Sequence, residues 1–189
     1  MEELKTLTAG IQFGESPRWH DGRLWFSDWT AGELLAVDLN GGRELVCRVP
    51  SFPFCFDWLP DGRLLVVSGR EGLVLRREPD GTLVTHADLR DLSSAPWNEI
   101  VVDGAANAYV NTIGFDFPGG EYRPGSVARV SPGGTTRLVA GDLAFPNGMA
   151  LAANGSMLLV AESYAHCLTA FDVSAAGELA NRRVWAVAG

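Results

Sequence analysis

Short apolar runs broken by polar positions, each closed by a turn containing Gly or Asn, recur along the chain. Arg23–Asp28 (RLWFSD), Glu33–Leu39 (ELLAVDL) and Arg43–Val49 follow one another across Ala31-Gly32 and Asn40-Gly41-Gly42. The runs have the length of strands, and tight hairpins need the positive φ that Gly or Asn adopts readily, so the pattern predicts an antiparallel meander. The same succession is expected at Leu64–Ser68, Leu73–Arg77 and Leu83–Ala87, at Ala108–Thr112, Val127–Ser131 and Thr135–Val139, and at Met157–Ala161, Leu168–Asp172 and Arg182–Val187. Helical periodicity is absent.

The meanders are copies of one unit. GESPRWHDGRLWFSD, PFCFDWLPDGRLLVVSG, PWNEIVVDGAANAYVNT and FPNGMALAANGSMLLVAE each run from an opening segment through a turn into an apolar strand. The turns at Asp21-Gly22, Asp61-Gly62, Asp103-Gly104 and Asn154-Gly155 are spaced by 40, 42 and 51 residues, about one propeller blade each. The longer interval contains GFDFPGGEYRPG, whose glycines and prolines read as a loop insertion. A meander buries both faces by stacking against the next blade, whereas a β-sandwich predicts no such repeat. The expected fold is therefore an all-β propeller with about four visible blades, residues 1–189 forming a single partial propeller domain. A closed ring needs a further strand from one end of the chain, and none follows Gly189.

Composition narrows the function. With 47% hydrophobic and 20% charged residues the chain has material for a packed core. A net charge of −8 with scattered acids argues against nucleic acid and anionic membrane, which need a basic surface. Cys47, Cys55 and Cys167 lack disulfide or zinc spacing and read as buried free thiols. MEELKTLTAG is not a secretory leader, and the expected location is the cytoplasm.

The opening segments precede the strands expected to be innermost, so their polar side chains would converge on the central channel. Three of them carry oxygen donors: Glu15 in GESPRW, Asn98 in PWNEIVVD and Asn147 in FPNGMAL. One carboxylate and two amide oxygens suit a hard cation, Ca²⁺ or Mg²⁺, and tolerate Zn²⁺ or Mn²⁺. Singly, each has an ordinary explanation: Asn147-Gly148 as a turn, Asn98 as a local backbone partner, Glu15 as a solvated loop acid. His20, His86 and His166 are dispersed, and Ser16 and Ser163 lie in no Gly-x-Ser-x-Gly elbow. Trp19, Trp25, Trp29 and Trp58 read as blade packing.

GESPRW with DGRLWFSD, WNEIVVDG with NAYVNTIGFD, and FPNGMAL with LLVAES together resemble the senescence marker protein (regucalcin)/gluconolactonase/luciferin-regenerating enzyme family, over essentially the whole chain. The resemblance implies a six-bladed propeller with one divalent metal in its channel, held by a Glu, two Asn and an Asp. Glu15, Asn98 and Asn147 match the first three ligands. The Asp, also the family's proposed catalytic base, has no match up to Gly189, so the chain is expected to be the N-terminal two-thirds of such a protein, with impaired activity. The resemblance also gives Glu99 and Asp116 as substrate-binding residues, and places Pro96 where the family commonly has an Arg that meets sugar acids. The implied activity is metal-dependent hydrolysis of a sugar-type lactone. The alternatives are a non-catalytic protein binding a divalent metal or sugar-like ligand, and an inactive fragment that self-associates through an open blade edge.

Overall fold

Each repeat folds into a four-stranded antiparallel sheet, and the sheets follow one another as propeller blades. The computed structural model describes residues 5–187, so residues 1–4 of the segment read as lacking a leader, and residues 188–189, lie outside the described residues. Blade one is β1 (Gly14–His20), β2 (Arg23–Asp28), β3 (Glu33–Asp38) and β4 (Arg43–Arg48). Blade two is β5 (Phe54–Trp58), β6 (Leu64–Ser68), β7 (Leu73–Arg77) and β8 (Leu83–Asp88). Blade three is β9 (Trp97–Val102), β10 (Ala108–Thr112), β11 (Gly125–Val130) and β12 (Thr136–Leu143). Blade four is β13 (Pro146–Ala152), β14 (Met157–Glu162), β15 (Cys167–Val173) and β16 (Leu179–Val187).

One expectation is corrected here. The opening segments do not precede the innermost strands; they are those strands. β5 packs beside β1 and β9, and β13 beside β9, so β1, β5, β9 and β13 lie side by side along the channel. The turn at Asp21-Gly22 folds β1 back on β2, pairing Trp19 with Leu24 and His20 with Arg23, and the same happens in each repeat. β16 also begins earlier than its apolar content suggests, because Val173 pairs with Leu179 and Asp172 with Ala180 across a hairpin, after which Asn181 and Arg182 bulge out before Arg183 pairs with Ala170.

The core lies between blades. Leu34 and Ala36 meet Phe54, Phe56 and Val66 between blades one and two. Trp97, Ile100 and Val110 meet Cys55, Leu65 and Val67 between two and three. Tyr109 and Val127 meet Leu158, Val160 and Phe171 between three and four. Trp25, Trp29 and Trp58 pack as expected, but Trp19 is 59% exposed. Neighbouring side chains of a strand point to opposite faces, and Arg18 takes the inward direction. The three thiols are unpaired; Cys55 is buried, while Cys47 and Cys167 are only partly so. Among the described residues no helix is long and apolar enough to cross a membrane.

Candidate metal and substrate site

The three innermost strands that carry Glu15, Asn98 and Asn147 share a defect that the fourth lacks. In β1 the register slips between Glu15 and Arg18, so that Ser16 and Pro17 oppose only Phe26. In β9, Trp97 pairs with Thr112 and Glu99 with Asn111, leaving Asn98 as an extra residue. In β13 the slip falls between Pro146 and Met149, across Asn147-Gly148. β5 has an unbroken register from Phe54 to Trp58 and supplies no candidate ligand. A bulge bends the strand and re-aims a side chain, which turns three residues of regular sheets toward one space.

Glu15, Asn98 and Asn147 line a single cavity of about 400 Å³. Asn98 Nδ2 donates to Asn147 Oδ1 at 3.3 Å, so the two amides touch across the gap between blades three and four. Burial raises the Glu15 carboxyl above its ordinary value, and the Ser16 backbone N–H offsets part of that shift. An amide pair beside a desolvated carboxylate is a set of hard oxygen donors whose charged member a cation would stabilise, which fits Ca²⁺ or Mg²⁺ in donor type. Asn98 can present its oxygen by turning its amide over. No group of three or more His, Cys, Asp or Glu side chains able to hold a metal occurs among the described residues, so this mixed carboxylate-amide set is the candidate.

Aromatic rings wall the cavity on two sides. Phe13, Trp29 and Phe52 form one cluster, with Trp29 lying edge-on to each of the other two at 5.2 Å between ring centres. Phe115, Phe117 and Phe145 form the other, backed by Tyr122 and Tyr164. Most of the second cluster comes from the insertion after β10. Gly114 begins that loop at φ +91°, where an added Cβ would lie 2.2 Å from the Pro124 carbonyl oxygen. Gly114→Ala is therefore expected to cost about 1–3 kcal/mol and to open the loop. Limited proteolysis would show faster cleavage between residues 114 and 124, and an unchanged rate would refute the loop's dependence on that close approach.

The two acids assigned to substrate lie elsewhere. Glu99 is buried: its carboxylate accepts from Arg18 Nη2 at 3.0 Å and from Ser16 Oγ at 3.3 Å, and it is not among the residues lining the cavity. Asp116 is exposed and lines a separate, smaller recess with Ser94, Glu121 and Arg123. Three supporting residues went unnoticed in the sequence. Asn111 Nδ2 donates to the Asn147 carbonyl at 2.6 Å and fixes that bulge. Asp28 accepts from the Gln12 and Phe13 N–H groups, and Glu162 accepts from the Ala144 N–H, so acids at one repeat position anchor two of the loops around the cavity. A polar residue inside an apolar strand, as in AYVNT, was the available signal for Asn111.

Residues 13–189 match the family model described as the SMP-30/Gluconolactonase/LRE-like region. The chain belongs to this family. Its blades superpose on those of a gluconolactonase from Xanthomonas campestris with a TM-score of 0.78 at 22% identity, covering 95% of this chain and 64% of that one. A calcium-binding protein, regucalcin, from Agrobacterium tumefaciens gives a TM-score of 0.75 at 19% identity, over 92% of this chain and 59% of that one. A luciferin-regenerating enzyme gives 0.74 at 18% identity, over 91% of this chain and 60% of that one. The chain thus spans about 60% of the length of these family members, whose likeness at such identities establishes the propeller fold. No curated protein sequence matched the chain.

Proposed function

We propose that the family member represented by this chain is a metal-dependent lactone hydrolase of the gluconolactonase type, acting at the cavity between the innermost strands. The observation that carries this reading is the convergence at one cavity of Asn98 and Asn147, which lie within β-bulges, and Glu15, which immediately precedes one. These three residues would hold a divalent cation, Ca²⁺ first among the candidates, which when bound polarises the lactone carbonyl. Water then adds to the acyl carbon, the ring C–O bond breaks, the leaving oxygen takes a proton, and a hydroxy acid is released. The bulges orient the donors, and the aromatic walls lower the polarity around them, which strengthens charge interactions there. A second reading, a calcium-binding protein without turnover, draws on the likeness to regucalcin.

Calorimetric titration with Ca²⁺ tests the cation seat. Asn147→Ala is expected to weaken binding about tenfold or more, and Glu99→Ala by less, because only Asn147 faces the cavity. Equal effects would overturn the ligand assignment. Hydrolysis of any member of a lactone panel, aldonolactones and aromatic lactones alike, that disappears with chelator and returns with Ca²⁺ supports the hydrolase, whereas calcium binding by the full-length protein with no hydrolysis across the panel selects the second reading.

A further inference from the structure

The cavity's walls are poorly suited to a bare polyol. Ten of its fourteen lining residues are Phe, Trp, Pro or Ile, and the remaining four are Glu15, Asn98, Asn147 and Arg70. The one donor on the aromatic rings that line it, Trp29 Nε1, is already satisfied by the Phe54 carbonyl. Sugar lactones carry a hydroxyl on nearly every carbon, and each hydroxyl desolvated without a partner lowers affinity by roughly tenfold. With Glu15 and the two amides assigned to the cation, Arg70 is the polar side chain left for a ring of hydroxyls among the described residues that line the cavity.

The same walls suit an apolar ring. Phe52 is 42% and Phe117 55% exposed, so both leave ring surface available to a ligand. The two aromatic clusters belong to different blades, and the second is completed by the insertion that stretches the third repeat interval. Polar donors at one point and aromatic walls around it describe a pocket that orients a ligand by a small polar head and binds it by its apolar body.

We infer that the site takes a lactone or ester whose acyl or alcohol part bears an aromatic or bulky apolar group, with the carbonyl directed at the cation that Glu15, Asn98 and Asn147 would hold and the apolar part held between the Phe13–Trp29–Phe52 and Phe115–Phe117–Phe145 clusters. The carbonyl's direction rests on the lactone-hydrolase reading; the apolar preference rests on the walls.

Lactams, which resist hydrolysis, separate the two. Calorimetric titration of the Ca²⁺-supplemented chain with 3,4-dihydro-2-quinolinone and with gluconolactam is expected to show the aromatic lactam binding at least about tenfold tighter. Phe52→Ala and Phe117→Ala, both at exposed rings whose loss leaves the core intact, are each expected to weaken the aromatic lactam about fivefold to tenfold while leaving Ca²⁺ affinity unchanged. Equal or tighter binding of gluconolactam overturns the inference, as does indifference of the aromatic lactam to both substitutions. Ca²⁺ binding with no binding of either lactam also overturns it and leaves the cation seat standing. Tight binding of the aromatic lactam without any Ca²⁺ affinity sinks the hydrolase reading and leaves the apolar preference in place.

Discussion

Trp97→Ala is expected to lower the free energy of unfolding by about 3–5 kcal/mol, the range for removing a large aromatic from a packed core. Trp97 is fully buried and joins Ile100, Val110, Leu65 and Val67 in the layer between blades two and three. Its backbone N–H donates to the Gly69 carbonyl at 3.0 Å, tying the site strand β9 to the loop after β6. The fit there is close, since a Cβ on Gly69 would stand 2.1 Å from the Trp97 carbonyl oxygen. Trp97 Nε1 has no hydrogen-bond partner. Trp97→Phe therefore removes an unsatisfied donor along with some apolar volume and is expected to cost less than about 2 kcal/mol. Chemical denaturation of the two variants checks this. Both variants remove the orphan N–H, so their difference measures the retained ring, and equal losses would show that a phenyl ring does not replace the indole in that layer. Asn98 follows Trp97 directly, so Trp97→Ala should also blunt Ca²⁺ binding, and Trp97→Phe should spare it.

Glu99→Ala is expected to cost about 3 kcal/mol, because it leaves Arg18 without its counter-charge in a partly buried position. The Arg18 side chain is 23% exposed and keeps the Ile100 and Pro17 carbonyls as acceptors, which places the loss at the low end of that range. Glu99→Gln retains an acceptor for Ser16 and should cost less. The pair joins blade one to blade three across the channel, past blade two, so its removal loosens the arc as well as the residue.

The pH response has a definite sign. Burial raises the Glu99 carboxyl above 4.5, outweighing the opposing pull of Arg18. A carboxyl raised on folding contributes stability that is fully present below its unfolded value and is lost as pH rises through the raised one. Asp28, Asp38, Asp61, Glu71, Asp80, Asp88 and Asp172 are held low and stabilise the fold as pH rises through the acid range. The Glu99 contribution is therefore read as a difference: above 4.5 the denaturation midpoint of the parent chain should fall relative to that of Glu99→Gln as pH rises. A matching course in the variant would assign the effect to another group.

The relation between sequence and site is clearest at Glu15, Asn98 and Asn147. Their residue types and equivalent repeat positions singled them out, because the repeat places equivalent positions at equivalent points of each blade. Their orientation was not legible, since a bulge depends on which partner residue each position faces, and that is settled by pairing with β2, β10 and β14. Glu99 shows the converse, a residue whose surroundings the sequence did not reveal. Adjacent to a candidate ligand and acidic, it read as a substrate contact, yet strand alternation turns it to the face where Arg18 waits, 81 residues earlier in the chain. The aromatic walls were hidden for a related reason: Phe13, Phe52 and Phe117 sit in loops, where no periodicity reveals a shared face.

The sequence by itself determined the architecture and the period of the blades and singled out three candidate oxygen donors, because alternation, turn chemistry and repeat spacing are local properties that survive without knowledge of partners. The tertiary structure decided which side chains look into the cavity, which pair across it, and that its walls are aromatic. Those outcomes depend on strand register and on contacts between distant blades, and neither is encoded at any single position along the chain.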